Sequence, residues 1–261
     1  MDASASETLE LVDTHCHLDD GRFGRSLEEV LGRARAAGVT RFVVPGVVPE
    51  GWGEIARIAR KHAGVFAAPG LHPMRAKLYG SETLRELERS LDGAVAVGEI
   101  GIDPSYKDVP RELQAEAFRG QLRLAVAAGL PVLIHCRRAF DETLRILREE
   151  RVERVGGIMH AFSGSAETAR ACIDLGLLVS VAGTVTYGNA VRPLEVVRAV
   201  PPDALVLETD APDMTPEPHR GLPNEPAFII ETARRVAELK GVTVAELARV
   251  TSANARRLLR I

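Results

Sequence analysis

The stretch LVDTHCH, residues 11–17, joins a short apolar run to two histidines that are two residues apart. A short apolar run bounded by a helix-like segment is typical of a buried strand. Side chains two apart in a strand leave the same side, so His15 and His17 are predicted to chelate one metal ion. The stretch therefore predicts a strand with a metal-binding pair at its carboxyl end.

The same combination of an apolar run and a ligand-type residue recurs along the chain. AVAVGE ends at Glu99, PVLIH at His135, GGIMH at His160 and ALVLETD at Asp210. Because the carboxyl ends of barrel strands meet on one face, these side chains are expected to converge. One histidine at a strand end carries little information, but six ligand-type side chains together indicate a metallohydrolase.

Strand-like and helix-like segments alternate over the whole chain of 261 residues. Eight β/α units can be recognised, and no low-complexity linker divides them. This pattern predicts an α/β fold, a single (β/α)8 TIM-type barrel that forms one domain over residues 1–261, with residues 1–8 flexible. No glycine-rich phosphate loop opens a helix, which disfavours a dinucleotide-binding fold.

The composition narrows the class of protein. With a net charge of −3, the chain has no broad basic surface, so a nucleic-acid substrate would have to be held locally. Three cysteines are too few for a disulfide framework, and Cys16 and Cys136 should point towards the helices. No apolar run reaches about 18 residues, and MDASASETLE lacks the apolar core of a secretory signal. We therefore expect a cytoplasmic monomer that does not enter membranes.

Seven stretches of the sequence, read in order, resemble the motifs of the TatD-type metal-dependent deoxyribonucleases, within the amidohydrolase-like TIM barrels. They are LVDTHCHLD, GLHP, VGEIGID, PVLIHCR, MHAFSG, LETDAP and NEP. The resemblance extends from Leu11 to the terminal SANARRLL. It implies two divalent metal ions, Mg²⁺ or Mn²⁺ in action with Zn²⁺ possible, and hydrolysis of DNA, often as a 3′→5′ exonuclease on single strands. The metal ligands it implies are His15, His17, Glu99, His135, His160 and Asp210.

Three residues are candidates for catalysis. Glu99 lies between the pair His15 and His17 and the later histidines in chain order, so its two oxygens could bridge two ions. Asp210 can act as ligand and proton acceptor together, because a metal lowers the pKa of bound water. His72, in GLHP, could contact the scissile phosphate or donate a proton to the leaving oxygen; alternatively, it fixes the turn before Pro73. His135 and His160 could serve the second ion.

The candidate substrate contacts are less specific. Arg137 begins a loop and could bind phosphate through its guanidinium fork, or could simply be solvated. Arg220 is a candidate phosphate contact, and Asn224 either caps a helix or contacts the substrate. Asp103 is expected to orient a ligand or cap its loop. The family usually has an aromatic soon after this Asp, whereas here it comes only at Tyr106, so the role of loop 103–110 stays open.

Two other classes of function remain. An ester or amide hydrolase, such as a lactonase, a small-ring amidohydrolase or an aminoacyl-tRNA deacylase, could use the same metal pair. Cations at the rim favour phosphodiester hydrolysis over these reactions. A non-catalytic barrel scaffold would be expected to have lost ligands, and all six are present.

Overall fold

The computed structural model describes residues 9–261, apart from the side chains of residues 24–26, and the segment 1–8, expected from sequence to be flexible, lies outside them. The strands are β1 (Leu11–Asp13), β2 (Val39–Pro45), β3 (Val65–Ala68), β4 (Val97–Ile102), β5 (Val132–Cys136), β6 (Gly157–Met159), β7 (Leu177–Val181) and β8 (Leu205–Leu207). The helices are α1 (Leu27–Ala36), α2 (Pro49–Lys61), α3 (Ser81–Arg89), α4 (Arg111–Ala128), α5 (Phe140–Glu149), α6 (Ala166–Ile173), α7 (Arg192–Ala199), α8 (Ile229–Lys240) and α9 (Val244–Leu259). The predicted alternation of strands and helices is confirmed.

The strands pair in parallel in two sheets, ordered β1-β2-β3 and β4-β5-β6-β7-β8. Backbone hydrogen bonds join the sheets at both seams. Between β3 and β4, the amide of Gly98 donates to the carbonyl of Pro69 at 3.1 Å. Between β8 and β1, the amide of Thr14 donates to the carbonyl of Leu207 at 3.1 Å. The sheet therefore closes on itself, which confirms the predicted TIM-type barrel.

The interior of the barrel has its own apolar core. It takes one side chain from each of the eight strand regions: Val12, Val43, Ala68, Ala96, Leu133, Ile158, Leu178 and Val206. Ala255 and Leu259 of α9 pack into the same cluster. The side-chain amide of Asn254 donates a hydrogen bond to the carbonyl of Leu205, the first residue of β8, at 2.9 Å. Helix α9 thus closes the end of the barrel where the strands begin and leaves the opposite end for a site.

A larger core fills the layer between the strands and the surrounding helices. Phe42 of β2 and Phe118 of α4 are fully buried in it, as is Ile55 of α2. Cys16 and Cys136 belong to this layer, as strand alternation predicts. Within residues 9–261, no helix is both long and apolar enough to cross a membrane.

Strand β4 extends further than its apolar run suggests. Glu99 is its third residue and the strand continues to Ile102, so the prediction that Glu99 ends the strand is wrong. Gly101 makes the extra length possible: its φ is +154°, and a Cβ there would lie 1.8 Å from the carbonyl oxygen of His135 on β5. Glu99 therefore lies inside the barrel mouth rather than on its rim.

Strand β1, in contrast, ends at Asp13, before both of its histidines. The chain beyond it stays close to the barrel through an isolated parallel bridge between Cys16 and Ala211 and a backbone hydrogen bond from Cys16 to Val43 of β2 at 3.0 Å. Alternation carries through this segment, because Cys16 is buried in the outer layer while His15 and His17 face the site. His15 and His17 therefore face the same side, as predicted for a chelating pair, although both lie beyond the end of β1.

Candidate metal centre

The six predicted ligands converge at the carboxyl end of the barrel. His15 and His17 follow β1, Glu99 lies in β4, His135 in β5, His160 follows β6, and Asp210 follows β8. Five of them line one cavity. His15, the sixth, lies beneath the cavity, with only 1% of its surface exposed. The structure therefore brings together all the residues that the sequence proposed as ligands.

The carboxylate of Glu99 lies at the centre and presents its two oxygens to two groups of imidazoles. Its Oε2 lies 3.3 Å from Nε2 of His15 and 3.9 Å from Nε2 of His17. Its Oε1 lies 2.6 Å from Nδ1 of His135 and 3.8 Å from Nε2 of His160. Each oxygen faces nitrogen donors on its own side, so this carboxylate is placed where it could reach two ions.

The carboxylate of Asp210 faces the same imidazoles from β8. Its Oδ1 lies 3.8 Å from Nε2 of His15, 3.7 Å from Nε2 of His17 and 3.6 Å from Nε2 of His160. The ring of His160 stacks on that of His15 at 3.5 Å, whereas its centroid lies 6.3 Å from that of His135. His160 thus stands between the two groups, rather than with His135 alone as the sequence suggested.

Asp13 holds the segment that carries Asp210. Its Oδ1 accepts hydrogen bonds from the amides of Thr209 (2.9 Å) and His15 (3.3 Å). Its Oδ2 accepts one from the hydroxyl of Thr209 at 2.5 Å. Asp210 has a φ of 56°, a left-handed conformation that Asp tolerates better than most residues. One buried carboxylate therefore fixes the β1 and β8 sides of the site relative to each other.

Burial and mutual charge set the protonation of the cluster. Burial by itself raises the pKa of Glu99, but the surrounding imidazoles outweigh it and hold that pKa well below its ordinary value. Burial raises the pKa of Asp210 to about 7 and lowers the pKa of His17 to about 4. Burial opposes protonation of His160, but three nearby carboxylates raise its pKa to about 10. A cation that binds here would displace protons from such donors.

The donors present fit divalent metal ions. Within the described part of the chain, neither ring nitrogen of the buried His15 has a hydrogen-bond partner. The ligand atoms of His15, His17 and Glu99 lie within 4.8 Å of one another, as do those of His72, Glu99 and His135. Imidazole nitrogens with carboxylate oxygens suit zinc, manganese and iron. We take the unpartnered nitrogens as the structural sign of a metal centre.

His72 faces the cavity after β3 and is 5% exposed. Its Nδ1 accepts a hydrogen bond from the amide of Met74 at 3.1 Å and so caps the 3₁₀ segment Pro73–Leu78. Its Nε2 lies 3.5 Å from Oε1 of Glu99. Because Nδ1 is an acceptor, the neutral ring carries its proton on Nε2. The ring therefore fixes the turn with one nitrogen and presents an N–H to the cavity with the other.

Asp103 orients His135, as the sequence analysis expected. Its Oδ2 lies 3.2 Å from Nε2 of His135, and its Oδ1 accepts a hydrogen bond from the amide of Ser105 at 2.9 Å. The buried Gln114 of α4 accepts from the amide of Asp103 at 2.8 Å and donates to its carbonyl at 3.1 Å. Gln114 thus fixes the loop that positions the ligand.

Gln121 does the same for the loop that carries His72. Its side chain accepts from the amide of Leu71 at 2.7 Å and donates to the carbonyl of Leu71 at 3.1 Å. The sequence analysis did not identify Gln114 and Gln121 as positioning residues. The available signal was two amide side chains seven residues apart, which fall on one face of a helix.

The cavity has a volume of about 630 Å³ and a mixed lining. Arg137 and Arg192 line it and are exposed, and among the side chains described in 9–23 and 27–261 neither makes an ion pair or hydrogen bond. Tyr106, Met74 and Phe162 supply apolar and aromatic surface. Arg137 is predicted from the sequence as a substrate contact, whereas Arg192, the first residue of α7, is not. Tyr106 brings loop 103–110 into the cavity wall.

Two predicted substrate contacts lie elsewhere. The guanidinium carbon of Arg220 lies 4.2 Å over the ring of Tyr187, and Arg220 does not line the cavity. Asn224 is 1% exposed, and its amide donates to the carbonyls of Thr209 (2.9 Å) and Asp213 (2.6 Å). Its side chain caps no helix and is buried away from the cavity. Asn224 instead stabilises the segment after β8. Its buried side-chain amide can do so because the carbonyls of Thr209 and Asp213 in that segment face it.

Comparison with known proteins gives one consistent family. A family model described as TatD related DNase matches residues 12–260. The metal-dependent hydrolase YabD of Bacillus subtilis is 42% identical over 253 residues, which cover 96% of this chain and 99% of YabD. The metal-dependent hydrolase YcfH of Escherichia coli is 38% identical over 255 residues, 96% of each chain. The crystal structure of YJJV, a TatD homologue from Escherichia coli, superposes with a TM-score of 0.90 at 33% identity, over 96% of this chain and 98% of YJJV.

Proposed function

The chain belongs to the TatD-related DNase family and is a metal-dependent hydrolase, and from that premise we propose that it is a deoxyribonuclease. It hydrolyses phosphodiester bonds at the ends of single-stranded DNA, working from the 3′ end. Two divalent ions would complete its site: Mn²⁺ or Zn²⁺ suits the imidazole-rich donors, and Mg²⁺ is the alternative. The single observation that supports this best is the division of the two Glu99 oxygens between separate groups of imidazoles.

The ligands divide accordingly. His15 and His17 would hold one ion together with Oε2 of Glu99. His135 would hold the other together with Oε1 of Glu99. His160, whose Nε2 lies within reach of both sides, would complete either coordination shell. The set thus supplies nitrogen and carboxylate donors to each ion, as two-metal hydrolases require.

Asp210 is placed to accept a proton, and His72 is placed to donate a hydrogen bond. Bound divalent ions lower the pKa of water towards about 7 and polarise a phosphoryl oxygen. Asp210 can accept the proton of the attacking water at Oδ1, because Asp210 lines the cavity and this oxygen faces the same imidazoles that would hold the ions. His72 can donate a hydrogen bond from Nε2–H to the leaving oxygen, since its Nδ1 accepts from Met74 and burial lowers the pKa of the ring and so keeps it neutral.

The cavity suits a terminal nucleotide. Arg137 and Arg192 offer guanidinium groups that are free to bind phosphate. Tyr106 and Phe162 offer ring surface on which a base can stack. A volume of about 630 Å³ lies within the roughly 300–1,000 Å³ of sites that enclose small molecules. With a net charge of −3, the chain has little means of gripping a long duplex, so an end is the favoured entry point.

A substrate panel tests the proposal. Purified protein with Mn²⁺ or Mg²⁺ is incubated with labelled single-stranded DNA, duplex DNA, RNA, aminoacyl-tRNA and a lactone. We expect single-stranded DNA to be shortened stepwise, and EDTA to abolish the reaction. Turnover of aminoacyl-tRNA or the lactone without cleavage of DNA would assign the protein to ester hydrolysis and leave the metal centre standing.

A second set of substrates tests the direction of entry. A strand with a 3′-phosphorothioate block and a circular strand are compared with the unblocked linear strand. We expect both modified substrates to resist hydrolysis. Equal cleavage of all three would indicate an endonuclease.

A further inference from the structure

Glu208 is a buried carboxylate beside the metal centre that the six-ligand set leaves without a role. It follows β8, two residues before Asp210, and is 0% exposed. Its Oε1 accepts a hydrogen bond from the amide of Ala161 at 2.6 Å. The same oxygen lies 3.1 Å from Nδ1 of His160. The sequence analysis did not single it out, although it stands within the LETD run.

This contact determines which nitrogen of His160 faces the site. Nδ1 points to Glu208, while Nε2 points to Oδ1 of Asp210 at 3.6 Å and to Oε1 of Glu99 at 3.8 Å. Within the described residues, Nδ1 of His160 has no hydrogen-bond partner, so its 3.1 Å approach to Glu208 is a charge contact rather than a regular hydrogen bond. A proton held at Nδ1 by that carboxylate keeps the lone pair of Nε2 available for a cation. We propose that Glu208 is a positioning residue that fixes the orientation and tautomer of His160 for metal binding. The inference rests on the metal centre of the proposed function and not on DNA being the substrate.

A second ligand has the same kind of partner. Nε2 of His135 lies 3.2 Å from Oδ2 of Asp103, so each of the two histidines from β5 and β6 is backed by its own carboxylate. Within residues 9–261, Oε2 of Glu208 has no hydrogen-bond partner. A buried carboxylate in that condition needs positive charge nearby. His160 and the bound ions supply it, and the charge of Glu208 in turn strengthens His160 as a ligand.

Metal affinity tests the proposal directly. Mn²⁺ and Zn²⁺ binding is measured by isothermal titration calorimetry on the wild type, Glu208→Gln and Glu208→Ala. We expect the affinity for one ion to fall about tenfold in Glu208→Gln and up to about a hundredfold in Glu208→Ala, with the number of ions bound unchanged. The matched control is Glu225→Gln, because Glu225 lies on the same connection but pairs with Arg33 at the surface.

Nitrogen-15 NMR of histidine-labelled, Zn²⁺-loaded protein gives a readout that a purely structural role would not move. In the wild type we expect the His160 ring to be protonated at Nδ1 and metal-bound at Nε2, with a downfield Nδ1 proton that shifts upfield in Glu208→Gln. Thermal melting of the EDTA-treated variants shows whether each one folds.

Glu208→Gln is nearly isosteric and keeps the test decisive if Glu208→Ala does not fold. Wild-type affinity and an unchanged proton shift in Glu208→Gln would overturn the proposal. Loss of one whole equivalent of metal would overturn it too, by making Glu208 a direct ligand. Because neither measurement uses DNA, failure of the nuclease proposal would be seen separately.

Discussion

Arg22 holds Asp213 through two hydrogen bonds, from Nη1 to Oδ1 at 2.9 Å and from Nη2 to Oδ2 at 3.0 Å. The same guanidinium binds Asp20 from Nε at 3.0 Å and from Nη2 at 2.9 Å. It thereby joins the segment after β1 to the segment after β8, where Asp213 lines the cavity. A carboxylate at the mouth of an anion-binding cavity repels its substrate unless a cation neutralises it, and Arg22 provides that cation.

Removing Arg22 should therefore weaken substrate binding while changing the free energy of unfolding little. We expect Arg22→Gln to raise KM for single-stranded DNA by about threefold to tenfold at low salt, and less at high salt. The double variant Arg22→Gln, Asp213→Asn should recover most of the loss. The free energy of unfolding should change by less than about 1 kcal/mol, because the pair is exposed. Steady-state kinetics at two salt concentrations check this, with Arg57→Gln as a surface ion-pair control. An unchanged KM at low salt would remove Arg22 from this role.

Asp210→Asn should separate chemistry from folding. We expect activity to fall by a factor on the order of 10² or more, because a proton acceptor and ligand are lost. The left-handed backbone at this position, with φ of 56°, suits Asn as well as Asp. If Asp210→Asn retained most of the wild-type activity at saturating metal, Asp210 would be excluded as the proton acceptor.

The same variant should be more stable than the wild type in EDTA near neutral pH. Folding raises the pKa of this carboxyl from 3.8 to about 7 by burial, so its ionisation destabilises the fold. That penalty is absent below pH 3.8 and grows as the pH rises to about 7. We expect the variant to melt a few degrees higher at pH 7.5, at about 2–4 °C per kcal/mol, and equally at pH 4. Scanning fluorimetry at both pH values checks this, with the exposed Asp203→Asn as control. A lower Tm at pH 7.5 would contradict the sign.

Arg192 should contribute to phosphate binding. We expect Arg192→Gln to reduce kcat/KM on an oligonucleotide by about tenfold, the loss of one charge-assisted hydrogen bond. The slope of log affinity against log salt should become shallower by about 0.7, the value for one contact on a single strand. Arg198→Gln, at the other end of α7 and outside the cavity lining, is the matched control. Equal effects of the two variants would mean that the general charge of α7, rather than Arg192, is responsible.

The three cysteines should be inert in the native protein. Burial raises the pKa of Cys136 to about 11 and of Cys172 to about 12, and it raises the pKa of Cys16 well above its ordinary value. The thiolate is the reactive form, so at pH 8 we expect almost no reaction with Ellman's reagent. Three equivalents should react in guanidinium chloride. Stoichiometric labelling of the folded protein within minutes would show that the barrel opens more readily than its packing implies.

The part of the fold that the sequence predicts well is the part encoded locally. Apolar runs that end in His15, His135 and His160 identified both the strands and the direction in which their side chains point, because alternation in a strand is a local property. Glu99 was assigned to the correct strand but to the wrong position in it. The run AVAVGE gives no sign that the strand continues, whereas the close approach of Gly101 to β5 requires it.

Residues that act through distant backbone could not be assigned in the same way. Gln121 holds Leu71, fifty residues away, and Asn224 holds Thr209 across a turn. The periodicity around each amide reports only that one face of its segment is buried, not which carbonyl it meets. Arg192 was missed for a related reason. An arginine at the start of a helix is usually solvated, and only the closed barrel places this one over the cavity.

The seam between β8 and β1 has a consequence for synthesis of the protein on the ribosome. Asp13 and Thr209, which bind each other there, are separated by 196 residues. At a translation rate of about 5–20 residues per second, roughly 10–40 s pass between the synthesis of Asp13 and that of Thr209. During that time His15 and His17 are already present in the nascent chain, but the carboxylate of Asp210 is not. Helix α9, whose Ser252 donates to the carbonyl of Glu10 at 2.9 Å, is made later still. Until Asp210 emerges, the nascent chain therefore lacks one of the six candidate ligands, and the candidate metal centre can be completed only late in synthesis.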